Sequence, residues 1–269
     1  AGRPRFDRSS IDSASEALMF GNALALAALV AAASLTAAGP SRAQTATIFQ
    51  ATLGENAKGA EVSTEQMQEI LRDRSAIVLD TRTRAEFDAG HIPGARNLDA
   101  APAQQIAATL ELAQGDTSKP LVLYCNGPYC QASRGLAEQL VDAGFRNVRR
   151  YQLGIPVWRA LGGSVVVELD GVLRVARSDR SAVLVDARDA AEFSRASLPG
   201  AISAPVREVV SGALRKIALP EDDFNRRIIL FGNGDDARSL ADYMSKRPWH
   251  NVSYFPGNYE SLASALKAN

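Results

Sequence analysis

The sequence predicts an α/β chain of two tandem domains, each a parallel sheet flanked by helices. Two observations carry that expectation. A block of residues returns 106 positions further on in constant register, with Asp80 matched by Asp186, Glu86 by Glu192 and Pro93 by Pro199. Around these landmarks short apolar runs alternate with helical segments, the pattern of a sheet covered on both faces. The length of 269 residues sets the scale, because ~100 residues suffice for a core in each copy.

In the first copy, Ser63-Thr64-Glu65-Gln66 is a capping box that opens a helix ending near Leu71. Ala76 to Leu79 is a short β-rich run suited to a strand buried on both faces, and Leu121 to Tyr124 is another. A helix is expected from about Ala132 to Ala143, with Gly144 capping its end. Val148 to Tyr151 follows as a strand and Ile155 to Leu161 as a last helix, with Trp158 a core plug. The second copy repeats the order. It has a strand at Val165 to Val167, a helix across Val172 to Ala176, strands at Ala182 to Val185 and Ile228 to Phe231, a helix across Arg238 to Met244, and a strand at Val252 to Phe255. Gly162-Gly163-Ser164 is the natural joint, giving domains at residues 47–163 and 164–269.

Composition narrows the function. Hydrophobic residues at 46% and charged ones at 22% describe a globular chain. Thirty basic and thirty acidic residues cancel, so no basic excess exists to hold a phosphate backbone, and nucleic acid is not an expected partner. The two histidines, His91 and His250, and the two cysteines, Cys125 and Cys130, lack the paired spacings of a zinc site. No metal or cofactor is expected.

Residues 1–46 are of another material. Ala17 to Ser41 carries no charge, Ala23 to Leu35 is rich in alanine and leucine, and Ser41-Arg42-Ala43 offers small residues where an export processing site needs them. This reads as a secretory signal cut near Ala43, although Arg3, Arg5 and Arg8 are offset by Asp7, Asp12 and Glu16. An uncleaved membrane anchor is the rival, weakened by Asn22 and the many alanines. Either reading places the body outside the cytoplasm, in the periplasm or beyond, where cysteines are open to oxidation.

The chemistry falls after one strand. In a parallel α/β sheet, ligands bind beyond the carboxyl ends of strands, where a loop leads into a helix. Cys125 stands there, directly after Leu121-Val122-Leu123-Tyr124. Loop amides and the helix dipole favour thiolate over thiol, and Gly127 and Pro128 suit a tight curl around the sulfur. The alternative is an inert buried cysteine ending a strand. Asp80 and Arg82, at another strand end, read as a fold-holding ion pair with Glu86 joining them, and His91 as a residue that orients its loop.

Val78-Leu79-Asp80-Thr81-Arg82 with Glu86-Phe87, then Gly90-His91-Ile92-Pro93-Gly94-Ala95-Arg96-Asn97, resembles the amino-terminal signature of the rhodanese (thiosulfate sulfurtransferase) superfamily. Tyr124-Cys125 followed by a helix, then Gly144-Phe145-Arg146-Asn147-Val148 and Gly154-Ile155 with Trp158, is similar to its carboxyl-terminal half. The resemblance spans about Thr47 to Asn269 in two copies. It implies that Cys125 takes a sulfane sulfur from an anionic donor such as thiosulfate and passes it to a thiophilic acceptor, a thiol or cyanide. Asn126, Gly127, Pro128, Tyr129 and Gln131 would then form the loop that binds the donor.

The sequence departs from the family in that loop. The usual pattern has glycine at the third position after the cysteine and arginine at the fifth. Here Gly127 is at the second, Cys130 occupies the arginine position, and Arg134 is the nearest replacement for the missing charge. Phosphatases sharing the fold need arginine where this chain has Gln131. Around a tight loop the two sulfurs can approach disulfide distance. Cys130 can therefore resolve a persulfide on Cys125, form a disulfide that switches the enzyme off, or act as a staple. So short a ring adds little stability by chain entropy, which favours the first two roles.

The second copy has lost the nucleophile. Gly232 replaces Cys125, Ser197 replaces His91, and Asp235 and Asp236 would repel an anionic donor. Gly232, Gly234 and Ala237 match a dinucleotide pattern, but no acidic residue follows near Val252, and the repeat already accounts for the segment. This copy is expected to pack on the first and wall its cleft. The expected function is an exported sulfurtransferase. Its rivals are a dithiol/disulfide redox protein using Cys125 and Cys130 with an exported redox partner, and a non-enzymatic binding module.

Overall fold

The computed structural model describes residues 60–179, 181–212 and 217–268. The apolar run of residues 23–35 and the processing site at Ala43 lie outside them. Among the described residues no helix is long and apolar enough to cross a membrane.

Five parallel strands form the first sheet: β1 (Ala60–Glu61), β2 (Ile77–Asp80), β3 (Arg96–Asn97), β4 (Leu121–Tyr124) and β5 (Val148–Tyr151), in the order β1-β5-β4-β2-β3. Helices α1 (Thr64–Asp73), α2 (Arg84–Ala89), α3 (Gln105–Leu112), α4 (Gln131–Asp142) and α5 (Gly154–Ala160) flank it. Side chains alternate along each strand. Val78, Val122, Tyr124 and Tyr151 join Met67, Ile70, Phe87 and Trp158 on one face, while Leu79, Leu121 and Leu123 join Leu136, Leu140 and Phe145 on the other. Burial on both faces explains why β2 and β4 read as nearly continuous apolar runs.

The second sheet repeats the first with β6 (Val165–Val166), β7 (Val183–Asp186), β8 (Ile202–Ser203), β9 (Ile228–Phe231) and β10 (Val252–Tyr254), in the order β6-β10-β9-β7-β8. Its helices are α6 (Leu169–Arg174), α7 (Ala190–Arg195), α8 (Val206–Val210), α9 (Gly234–Met244) and α10 (Tyr259–Lys267).

Local chemistry sets the helix ends. Ser63 accepts from the Gln66 amide and Gln66 Oε1 accepts from the Ser63 amide at 2.8 Å, the capping box read from the sequence. Gly144 closes α4 with φ of 91°, its amide on Val141 and that of Phe145 on Leu140. The sequence reading does not include α2, α3, α7, α8, α10, β1, β3 or β8. Most of these are helices of five or six residues or strands of two, too short for periodicity to register.

The joint is packed rather than loose. Gly162 takes φ of 81°, and a Cβ on Gly163 would strike the Trp158 ring, whose Nε1 donates to the Ser164 carbonyl at 2.8 Å. Beyond it, His91 and Val166 exchange both backbone hydrogen bonds at 2.9 Å, and the Glu168 amide donates to the Asp88 carbonyl at 2.9 Å. Gly171 lies so close to that carbonyl that no side chain fits. Ser164 Oγ meets Asp242 Oδ1 at 2.5 Å, and Ser245 Oγ donates to Gly162 at 2.9 Å.

Candidate active site

Cys125 follows β4 directly and is 5% exposed. Its carbonyl accepts from the Ile155 amide at 3.1 Å, pinning the loop to the start of α5. Gly154 makes this approach possible. Its φ is 64°, and a Cβ there would overlap the Cys125 carbonyl and the Gly127 amide. Gly127, with φ of 119°, accepts from the Cys130 amide at 3.1 Å. Pro128 is partly exposed, and the Tyr129 side chain stands out at 90% exposure.

A disulfide joins Cys125 to Cys130 across Cα atoms 6.1 Å apart. Cys130 is partly exposed and is the N-cap of α4, with no side-chain capping bond. The first amides of α4, beginning at the exposed Gln131, therefore face the loop with the positive end of the helix dipole.

The loop is tied sideways as well. Asn126 Nδ2 donates to Glu86 Oε1 at 2.6 Å. Burial works against charge on Glu86, but hydrogen bonds from Asn126 and Thr83 hold its carboxyl below the ordinary range. Glu86 thus links the loop to α2, in addition to lying near Arg82.

Arg134, the candidate replacement cation, lies on α4. Its Nε meets Glu138 Oε1 at 3.4 Å, and its charge is felt by Glu61 on β1 and Arg150 on β5. It sits one turn into α4, and an i,i+4 carboxylate takes its guanidinium along the helix.

Beneath the loop lies a buried polar cluster. Arg82 grips Asp80, with Nε at 2.9 Å, and also donates to the Gly90 carbonyl at 2.7 Å. Tyr124 donates its hydroxyl to Asp80 Oδ2 and accepts from the Ile92 amide at 3.1 Å. Burial, and secondly the Asp80 carboxylate, push that phenol well above its usual range. His91 stacks on Phe87 with ring centroids 3.6 Å apart, Nδ1 against the Phe87 carbonyl. Burial lowers its pKa to about 4. Asp80, Arg82 and His91 therefore set the loop that carries Ile92 and the contact with the second copy. The sequence reading gave no structural role to Gly154 or to the Tyr124 hydroxyl. The exchange of Tyr124 for Phe231 between the copies was the available signal for the hydroxyl.

A family model described as the rhodanese-like domain matches residues 63–161 and again residues 172–265. The chain belongs to the rhodanese family. Thiosulfate sulfurtransferase GlpE of Pseudomonas savastanoi pv. phaseolicola is 35% identical over 96 residues, covering 36% of this rhodanese and 83% of the relative. An HTH-type transcriptional regulator of Mycobacterium tuberculosis is 38% identical over 97 residues, covering 35% of the chain but only 40% of the regulator. The thiosulfate sulfurtransferase structure from Pseudomonas aeruginosa superposes with a TM-score of 0.34 at 20% identity, over 73% of this chain and 43% of that one. The 3-mercaptopyruvate sulfotransferase SseA of Escherichia coli gives 0.33 at 18% identity, over 75% and 99%.

The second rhodanese copy rebuilds the cluster without the cysteine. Arg188 grips Asp186 with Nε at 3.0 Å, and Ser197 Oγ donates to Asp186 Oδ2 at 2.6 Å. The serine hydroxyl thus supplies the donor that Phe231 cannot. A Cβ on Gly232, which takes φ of 142°, would come within 2.9 Å of Arg188 Cγ. The second copy meets the first through His91, Asp88 and Ala85, among others, and a cavity of about 930 Å³ near Val175, Leu198 and Leu219 is lined by the second copy. A smaller one, of about 450 Å³, lies by Arg96 and Leu112.

Proposed function

We propose that this rhodanese is an exported sulfurtransferase with Cys125 as its sulfur-carrying residue. The observation that carries the reading is the placement of Cys125 between the end of β4 and the start of α4, joined to Cys130. In the reduced protein the Cys125 thiolate attacks the outer sulfur of a donor such as thiosulfate, forming a persulfide and releasing sulfite. An external thiol or cyanide then takes that sulfur. Alternatively the Cys130 thiolate attacks Cys125, forming the disulfide and releasing hydrosulfide. The thiolate needs no separate base, consistent with a His91 held neutral away from the loop.

A second reading, a dithiol/disulfide redox protein, is favoured by the disulfide itself. Export rests on the apolar stretch before Ala43 and is tested by sequencing the amino terminus of the mature protein. The deciding experiment is the intact mass of the reduced protein after thiosulfate treatment, beside Cys125→Ser and Cys130→Ser. A gain of one sulfur that requires Cys125 and lasts longer without Cys130 is expected. A Cys125–Cys130 disulfide with no added sulfur, even from a polysulfide, would leave the redox reading.

A further inference from the structure

Resting on the two-cysteine reading, we propose that Cys130 is the docking sulfur for a protein dithiol, which seats on the exposed ring of Tyr129 and reopens the disulfide. Access decides which sulfur an incoming thiolate can reach. Cys125 is 5% exposed beneath the loop, whereas Cys130 is partly open at its rim. Thiol–disulfide exchange needs approach to the attacked sulfur, so the buried one serves as leaving group.

The step balances as a two-electron transfer. The partner thiolate bonds to Cys130 Sγ, the Cys125–Cys130 bond breaks, and Cys125 leaves as a thiolate that takes a proton from water. The partner's second thiol then attacks the mixed disulfide, so the partner is oxidised to a disulfide and Cys130 is released. The reverse reaction uses the same mixed disulfide. Reduced Cys130 is the N-cap of α4, where the helix dipole favours its thiolate.

The partner's chemistry follows from the surface. Asn126 to Ser133 contains no charged residue, and Arg134 is already paired with Glu138. The loop itself therefore offers no charged side chain for recognition, and the nearest carboxylate, Glu86, is bonded to Asn126. An aromatic side chain at 90% exposure beside the reactive sulfur offers contact area at small entropic cost, which suits a protein surface rather than a small thiol. Cys125 thereby handles the small sulfur donor and Cys130 the protein reductant, which resets the pair after each resolution.

The test uses the full chain in its disulfide form with a single-thiol variant of thioredoxin as probe, followed by acid quenching, alkylation and peptide mass mapping. The expected adduct joins the probe to Cys130, with the alkyl label on Cys125. A probe on Cys125, or no adduct although dithiothreitol opens the bond, would overturn the proposal. In a second arm the reduction rate with intact thioredoxin is divided by that with dithiothreitol. Tyr129→Ala should lower this ratio at least about fivefold and Tyr129→Phe should restore most of it. A ratio unchanged in Tyr129→Ala would remove the ring from docking. Neither arm uses a sulfur donor, so failure of sulfur transfer and failure of this docking are separately visible.

Discussion

Tyr124 donates its hydroxyl to Asp80 Oδ2 at 2.5 Å, and its chain neighbour is Cys125. The strand that delivers the cysteine is thus bonded to the ion pair of the adjacent strand. In the second copy Phe231 and Ser197 perform the same task with the hydroxyl moved to the partner loop.

Tyr124→Phe should therefore cost about 1–3 kcal/mol, because it removes a donor from a fully buried carboxylate. Adding His91→Ser should return part of that loss by copying the Ser197 arrangement. Urea unfolding of the single and double variants measures both effects. A double variant no more stable than Tyr124→Phe would show that the two clusters are not interchangeable.

Acid should weaken the fold through His91. Its folded pKa of about 4 lies below the ordinary histidine value near 6.5, so the unfolded chain binds more protons between those limits. Stability should rise with pH across that window and gain nothing further from this group above it, for a total of at most ~3 kcal/mol. Asp80, Arg82 and Asp88 act on the ring electrostatically, and Glu168 Oε1 lies 3.7 Å from Nε2. Burial, and secondly Asp88, raise the Glu168 carboxyl above its ordinary range. Comparing His91→Asn with the parent by denaturation near pH 4 and near pH 7 isolates the histidine. An equal slope in both proteins would refute its role.

Gly154→Ala should disrupt the reactive loop more than the fold. A methyl group there meets the Cys125 carbonyl and the Gly127 amide, on a backbone with φ of 64°. The expected cost is about 1–3 kcal/mol, together with slower sulfur loading measured by mass. Loading at the parental rate would mean that the loop tolerates displacement.

Gly232→Cys should not create a second reactive site. Its Cβ would press on Arg188, whose guanidinium is stacked 3.7 Å from the centroid of the Tyr259 ring and paired with Asp186. A lowered melting temperature and no second sulfur after thiosulfate are expected. Two added sulfurs would show that the second loop retains the chemistry.

These features differ in how far the sequence betrays them. The capping box at Ser63 and the strands β4 and β9 were legible because their determinants are contiguous. That Cys125 and Cys130 can approach was legible from their spacing around a tight loop, although not that they are joined. By contrast, Asn126 and Glu86 lie 40 positions apart, and nothing local announces that pairing. Arg134 was readable as a cation, but its direction depends on Glu138 one turn along the helix. Gly162-Gly163-Ser164 was legible as the joint between the copies. The structure uses its small residues to seat the chain against Trp158 and Ser245.

The bridge between His91 and Val166 also bears on solubility. Val165-Val166-Val167 is an apolar, β-branched edge, and the backbone of residue 91 occupies the hydrogen-bonding groups of Val166 that face away from β10. A fragment beginning at Ser164 would expose those groups as a template for another chain's strand. The cysteine-free copy thus relies on the cysteine-bearing one to cover this edge, a dependence that holds whatever chemistry Cys125 performs.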